Sequence, residues 1–273
     1  MSSILNNVSA LQASRQLGIT GTDLQKTIQR LTTGKRINQA SDDAAGLAIG
    51  NKLGADIKIA GQAQRNANDG ISYLQVADGA LDEVTSLLTR ASQLAQQAQT
   101  GTISASNRAN LDAEYQNIIG TLGNIAQNTK FNGSSVFTAT TVNVQAGDYG
   151  QIGITLSTLG STGTTNALGL TQNTSKLDTA TNAGTAATAI ATALESVSTL
   201  RASIGANQAQ LNATSSVLGI QVQNFTAAAS QIMDANIADE VVSLTKFQIL
   251  NQSGTSALAK SNQSAQQILA LLQ

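Results

Sequence analysis

The chain has 273 residues, a formal net charge of −1 and only 11% charged residues, so it presents no electrostatic footprint for nucleic acid or an anionic membrane surface. It contains no Pro, Cys, His or Trp, which excludes disulfides, thiolate metal sites and the commonest general bases and thiol nucleophiles. At 41% hydrophobic and 3% aromatic it is too apolar for disorder and must pack through Leu, Ile, Val and Ala.

About 14 prolines would be average for this length. Their absence suits long unbroken helices, because proline removes a helix donor and clashes with the turn before it. The first residues, MSSILNNVSALQASRQLG, lack the basic and apolar regions of a conventional signal peptide. In this stretch Ala10, Leu17, Leu24 and Leu31 recur every seven residues, flanked by Ile4, Leu11 and Ile28. Gly34 is a good helix stop, and Ser41 and Asp42 offer N-cap chemistry for a second helix. That helix carries Leu53, Ala60, Ala67, Leu74, Leu81, Leu88 and Ala95 in one unbroken heptad series. Continuous from about Asp42 to Gln99, it would be about 87 Å long.

Ser104 or Ser106 caps a third helix with the stripe Leu111, Tyr115, Ile118, Leu122, Ile125 and Thr129, and Asn132-Gly133 marks a turn. Val142, Val144 and Ala146, then Ile152, Ile154 and Leu156, alternate with polar residues around Gly147-Asp148-Tyr149-Gly150, which predicts a β-hairpin. From roughly 157 to 185 the chain is rich in Thr, Ser, Asn and Gly and reads as surface loop with little core. Helix resumes near Ala186, with Ile190, Val197, Ile204, Leu211, Leu218, Phe225 and Ile232 at heptad spacing. The last segment runs Ile237, Leu244, Asn251, Leu258, Ala265 and Leu272. At 41% apolar, seven of seven in a given phase has a chance probability of about 0.002, and two such runs argue against coincidence.

A narrow heptad seam buries only against another seam. The fold is therefore expected to be mainly α: long antiparallel coiled-coil helices, a small β-hairpin region near 140–157, and paired N- and C-terminal segments. Residues 1–40 and 236–273 are expected to form an inner terminal coiled-coil domain. Residues 41–235 are expected to form an outer core domain of three long helices plus the hairpin. The terminal segments are short of large side chains, and ordering a residue costs roughly 1–2 kcal/mol of backbone entropy. They are expected to order only between neighbouring copies, with Leu17, Leu24, Leu31, Ile237, Leu244, Leu258 and Leu272 as the assembly seam. Periodicity alone does not separate this from an ordinary helical bundle with heptad-like ends.

Little in the chain suggests chemistry. Asp42-Asp43 and Asp82-Glu83 are adjacent pairs that do not share a helix face, and Gly34-Lys35 lacks the flanking residues of a phosphate loop. Gly50 and Gly54 form a weak close-packing motif. Asn132-Gly133-Ser134 and Asn224-Phe225-Thr226 are sequons that follow from composition. Lys35, Arg36, Asp42 and Asp43 lie at the joint between expected inner and outer helices, where mixed charges could pair across neighbours and set subunit register, or stay solvated. No catalytic, cofactor-binding or metal site is expected, and no cofactor.

Two stretches in the first half, Leu31-Thr32-Thr33-Gly34-Lys35-Arg36-Ile37-Asn38-Gln39-Ala40-Ser41-Asp42-Asp43-Ala44-Ala45-Gly46-Leu47-Ala48-Ile49 and Arg65-Asn66-Ala67-Asn68-Asp69-Gly70-Ile71-Ser72, closely resemble the N-terminal signature of bacterial flagellins. Lys130-Phe131-Asn132-Gly133 resembles the family's turn after the second core helix. Leu244-Thr245-Lys246, Gln248-Ile249-Leu250, Gly254-Thr255 and Gln267-Ile268-Leu269-Ala270-Leu271-Leu272 resemble its C-terminal signature. Asn262-Gln263-Ser264-Ala265-Gln266 departs from the family by lacking a Pro, which leaves the heptad intact.

The resemblance implies a filament subunit that acts in motility, a homopolymer whose terminal helices form an inner tube. The short centre implies that large outer domains are absent. It further implies an extracellular flagellar location, type III export without a cleaved signal, a chaperone on the C-terminal segment, and hook-junction and cap proteins as partners. Arg90, Leu94 and Glu114 align with the family's contact set for a host Toll-like receptor, with Gln93 where Glu is common. Nucleic acid and membrane are not expected partners. The competing readings are a hook–filament junction subunit, a membrane-active translocator and, least favoured, an enzyme.

Overall fold

The computed structural model describes residues 7–157, 159, 168, 170 and 175–270, with backbone alone at 265 and 268–270. The elements in order are α1 (Val8–Thr33), α2 (Ala44–Gln99), α3 (Ala105–Asn128), β1 (Lys130–Phe131), β2 (Ser134–Ser135), β3 (Val142–Gln145), β4 (Gln151–Ile154), α4 (Ala180–Met233) and α5 (Ile237–Ala270). The chain divides into two compact units, Met1–Ile57 with Gln223–Gln273, and Lys58–Val222. Both boundaries fall inside helices, α2 and α4.

The helix ends follow local chemistry. Gly34 stops α1 in the left-handed region (φ 71°), where a side chain is disfavoured, and its N–H donates to the Arg30 carbonyl at 2.8 Å. Ser104 caps α3, accepting from the Asn107 N–H at 3.3 Å. The expected cap of α2 needs correction. Asp43, not Ser41 or Asp42, accepts the Gly46 N–H at 2.9 Å, three residues on, as a cap requires. Helix α4 starts at Ala180, earlier than the expected Ala186.

In the unit Lys58–Val222 the predicted heptad rows are the core. Ala67, Leu74, Leu81, Leu88 and Ala95 of α2, and Ile190, Val197, Ile204 and Leu211 of α4, are buried within one hydrophobic cluster. Each helix adds a second row offset by three: Ala63, Gly70, Ala77, Val84, Ala91 and Ala98 on α2, with Ala186, Ala193 and Leu200 on α4. A seam with large residues on one row and mostly alanine on the other lets backbones approach closely, which suits a chain short of aromatics. Leu211 packs over Gly70. A Cβ on Gly70 would stand 3.2 Å from its Cδ1 and 2.8 Å from Val144 Cγ2.

β3 and β4 pair antiparallel, with Val142 opposite Ile154 and Val144 opposite Ile152. This is the expected hairpin, and Val144, Ile152 and Ile154 are buried. β1 and β2 form a second, two-residue ribbon around Asn132-Gly133, both at positive φ. Tyr73 is set edge-on to Phe131 at 5.7 Å and donates its hydroxyl to the Val136 carbonyl at 2.9 Å.

The stretch from 157 to 185 differs from its expected role. Leu159, Leu168, Leu170 and Leu177 are each no more than 6% exposed, so this stretch supplies core. Its leucines are spaced without a period, which conceals them among Thr and Gly. Two bonds from α3 hold the end of the stretch: Asp112 accepts the Leu177 N–H at 2.7 Å, and Gln116 donates to the Ser175 carbonyl at 2.7 Å. Tyr115, buried on the same helix, keeps its hydroxyl near Ser175 without a hydrogen-bond partner among the described residues. Any sugar on the Ser/Thr-rich centre would fall largely outside the described residues.

Candidate assembly surface

In the unit that holds the chain ends, α1 and α5 pair antiparallel. Asn7 Nδ2 donates to the Ser261 carbonyl at 3.1 Å, and Arg30 Nη1 lies 3.3 Å from Glu240 Oε1. Between these, a Cβ on Gly254 would stand 3.1 Å from Leu17 Cδ1. On α1 the buried or half-buried residues include the row Ala10, Ala13, Leu17, Thr20, Leu24, Thr27 and Leu31, alternating by three and four. On α5 they include Glu240, Leu244, Phe247, Asn251, Gly254, Leu258 and Ser261, in the same alternation. Thr20 and Thr27 are 4% and 3% exposed. Threonine on the second row was not anticipated from apolar periodicity, which counts only hydrophobic positions.

Leu17, Leu24, Leu31, Leu244 and Leu258 thus lie in a seam between two helices of one chain. Ile237 shares their phase yet is 49% exposed. In the antiparallel register it falls opposite the end of α1. Leu272, Ile4 and the side chain of Ala265 lie outside the described residues. The seam leaves other apolar rows open. Val8, Leu11, Ile19 and Ile28 on α1 are 47–67% exposed, and Val241, Val242, Ile249 and Leu250 on α5 are 43–68% exposed. Those four α5 residues line a shallow apolar groove with Thr245 and Lys246.

The joint residues are engaged locally. The Arg36 N–H donates to the Met233 carbonyl at 2.7 Å and the Ala235 N–H to the Gly34 carbonyl at 3.0 Å, with Lys35 and Asp234 forming an antiparallel bridge. Arg36 Nη2 donates to the Ile232 carbonyl at 2.8 Å. Asp42 Oδ2 accepts the N–H groups of Asn38 and Gln39, both at 3.1 Å, and these bonds hold its carboxyl below the usual carboxylate range. That contribution is present above the ordinary Asp pKa and is lost as pH falls through the depressed one. The cap assignment predicts that Asp43→Ala lowers stability by about 1 kcal/mol in thermal unfolding, whereas Ser41→Ala leaves it unchanged.

Of the aligned receptor residues, Arg90 and Glu114 pair at 2.7 Å with side chains 53% and 45% exposed, while Leu94 is 1% exposed. Leu94 is therefore not a surface residue in this fold. Among the described residues there is no group of three or more acidic side chains that could hold a metal, and no helix long and apolar enough to cross a membrane.

A family model described as the bacterial flagellin N-terminal helical region matches residues 4–141, and one described as the bacterial flagellin C-terminal helical region matches 187–272. The chain belongs to the bacterial flagellins. It is 35% identical over 283 residues to Flagellin FlaB1 of Treponema pallidum, covering 98% of this chain and 99% of that protein. It is 38% identical over 273 residues to a flagellin of Halalkalibacterium halodurans, with the same coverage of 98% and 99%. A solved putative flagellar hook-associated protein from Vibrio parahaemolyticus shares the fold, with a TM-score of 0.60 over 71% of this chain and 100% of that one, at 13% identity. This flagellin is a structural subunit of the flagellar filament, in a short form whose two matched regions are separated only by residues 142–186.

Proposed function

We propose that neighbouring copies of this flagellin cover the apolar rows that the intrachain seam leaves open. Residues 1–40 and 236–273 then form the inner layer of a helical tube, residues 41–235 lie outside it, and the filament serves as a propeller. The observation that carries this reading is the nine large apolar side chains on α1 and α5, Ile237 included, that remain 43–68% exposed. Burying apolar area contributes about 25 cal/mol per Å², and a soluble monomer rarely keeps contiguous apolar patches of this kind. Low charge density keeps repulsion between copies small. Order in the terminal helices comes chiefly from these contacts between copies.

The joint of Lys35, Arg36, Asp42 and Asp43 acts within each copy, through its backbone bonds and caps. The filament stands outside the cell, reached by type III export. A chaperone covers the C-terminal segment beforehand, and hook-junction and cap proteins bound the polymer. A Toll-like receptor contact, if made by the folded protein, involves Arg90 and Glu114 rather than Leu94. No catalysis forms part of this role.

The double variant Leu11→Gln with Ile249→Gln tests the reading. Both side chains are more than 60% exposed, so the monomer is expected to keep its helical circular dichroism yet form no filaments on seeding. Normal filaments by negative-stain microscopy would overturn it.

A further inference from the structure

Sulfur occurs twice in this chain, at Met1 and Met233, and there is no cysteine. Met233 is thus the single internal thioether, and it closes α4 inside the joint. Its carbonyl accepts the Arg36 N–H at 2.7 Å, and the residues on either side of it, Ile232 and Asp234, also bond or bridge to the segment after α1. Its side chain rests on the backbone of α2. A Cβ built on Gly50 would stand 2.5 Å from Met233 Sδ and 2.6 Å from its Cγ. Gly50 is buried beneath it and Met233 is half-buried. One turn on, a Cβ on Gly54 would meet nothing within 4 Å, so the close approach of Met233 is to Gly50 and not to Gly54.

We propose that Met233 is an oxidative modification site, and that its sulfoxide loosens the joint between the α1–α2 and α4–α5 connections. A peroxide transfers one oxygen to Sδ. The sulfur loses two electrons as the S–O bond forms, the peroxide O–O bond breaks, and the reduced peroxide leaves as water. The thioether becomes polar and chiral. On the Gly50 face it meets a backbone whose N–H is already committed to the helix ladder, so the new oxygen finds no donor there and the flat packing is lost. Apolar methionine fits this recess because it is flexible and soft, and the same sulfur makes it oxidisable.

The test treats the full-length protein with hydrogen peroxide and follows Met233 by peptide mass, with Met1 as the internal reference. The expected result is one added oxygen on Met233, faster amide exchange at Arg36 and Ala235, and a melting temperature lowered by several degrees. Methionine sulfoxide reductase with a thiol reductant should restore both on the wild-type chain, which requires no variant to fold. Met233→Leu should hold its melting temperature through the same treatment. Met233 left unmodified while Met1 is fully oxidised would overturn the proposal. So would an oxidised wild type that melts and exchanges like the untreated protein, or a Met233→Leu variant equally sensitive to peroxide.

Discussion

Leu211→Ala is expected to destabilise the protein by about 3–5 kcal/mol and to lower its melting temperature by roughly 10 °C. Leu211 is 0% exposed on α4, and its Cδ1 lies in close packing over Gly70. Truncation removes transfer free energy and leaves a cavity in the buried cluster beside the Gly70 backbone. Leu244→Ala provides the contrast. Leu244 belongs to the same kind of heptad series but is only half-buried against α1, so its loss should cost about 1–2 kcal/mol. Unfolding curves in urea decide between them. Equal costs would mean that the terminal pair is as tightly packed as the core, contrary to the exposure pattern.

Tyr115→Phe is expected to flatten the loss of stability at alkaline pH. Burial pushes the Tyr115 phenol up to about 12, aided by the nearby carboxylate of Asp112 and partly offset by the neighbouring Ser175. The folded state therefore holds the proton more tightly than the unfolded state. Its contribution is complete below the ordinary tyrosine pKa of about 10 and is lost as pH rises from there through about 12. A shift of this size corresponds to about 2–3 kcal/mol at the alkaline extreme. Tyr73, also raised by burial, remains in both proteins and cancels in the comparison. Melting temperatures measured from about pH 8 to about pH 12 should fall more steeply for the wild type. Parallel curves would show that Tyr115 carries no such linkage.

Much of the fold was legible because a heptad series of Leu and Ile is a physical demand for a partner helix. The rows through Leu81 and Leu211 were readable in this way, as were the stop at Gly34 and the hairpin around Val144 and Ile152. The companion row of Ala63, Ala77 and Ala91 was not, since alanine is common here and carries no contrast in hydropathy. Thr20 and Thr27 were missed for a related reason, being polar by type but buried by position. Leu168 and Leu170 lack any period. Ile237 shares the phase of the seam but is exposed, since phase says nothing about where the opposing helix ends. At the joint, charge type left pairing across neighbours and solvation both open, and did not reveal that the backbone donors of Asn38, Gln39 and Gly46 bond the carboxylates of Asp42 and Asp43.

The antiparallel bridge of Lys35 to Asp234 makes everything between those two positions a closed excursion that departs from and returns to one point. Sequence added to such an excursion, for instance between β4 and α4, raises the closure entropy only logarithmically with its length. It need not disturb how the two chain ends meet. A graft at that position can therefore vary in size from one protein to the next while the fastening at its base stays the same.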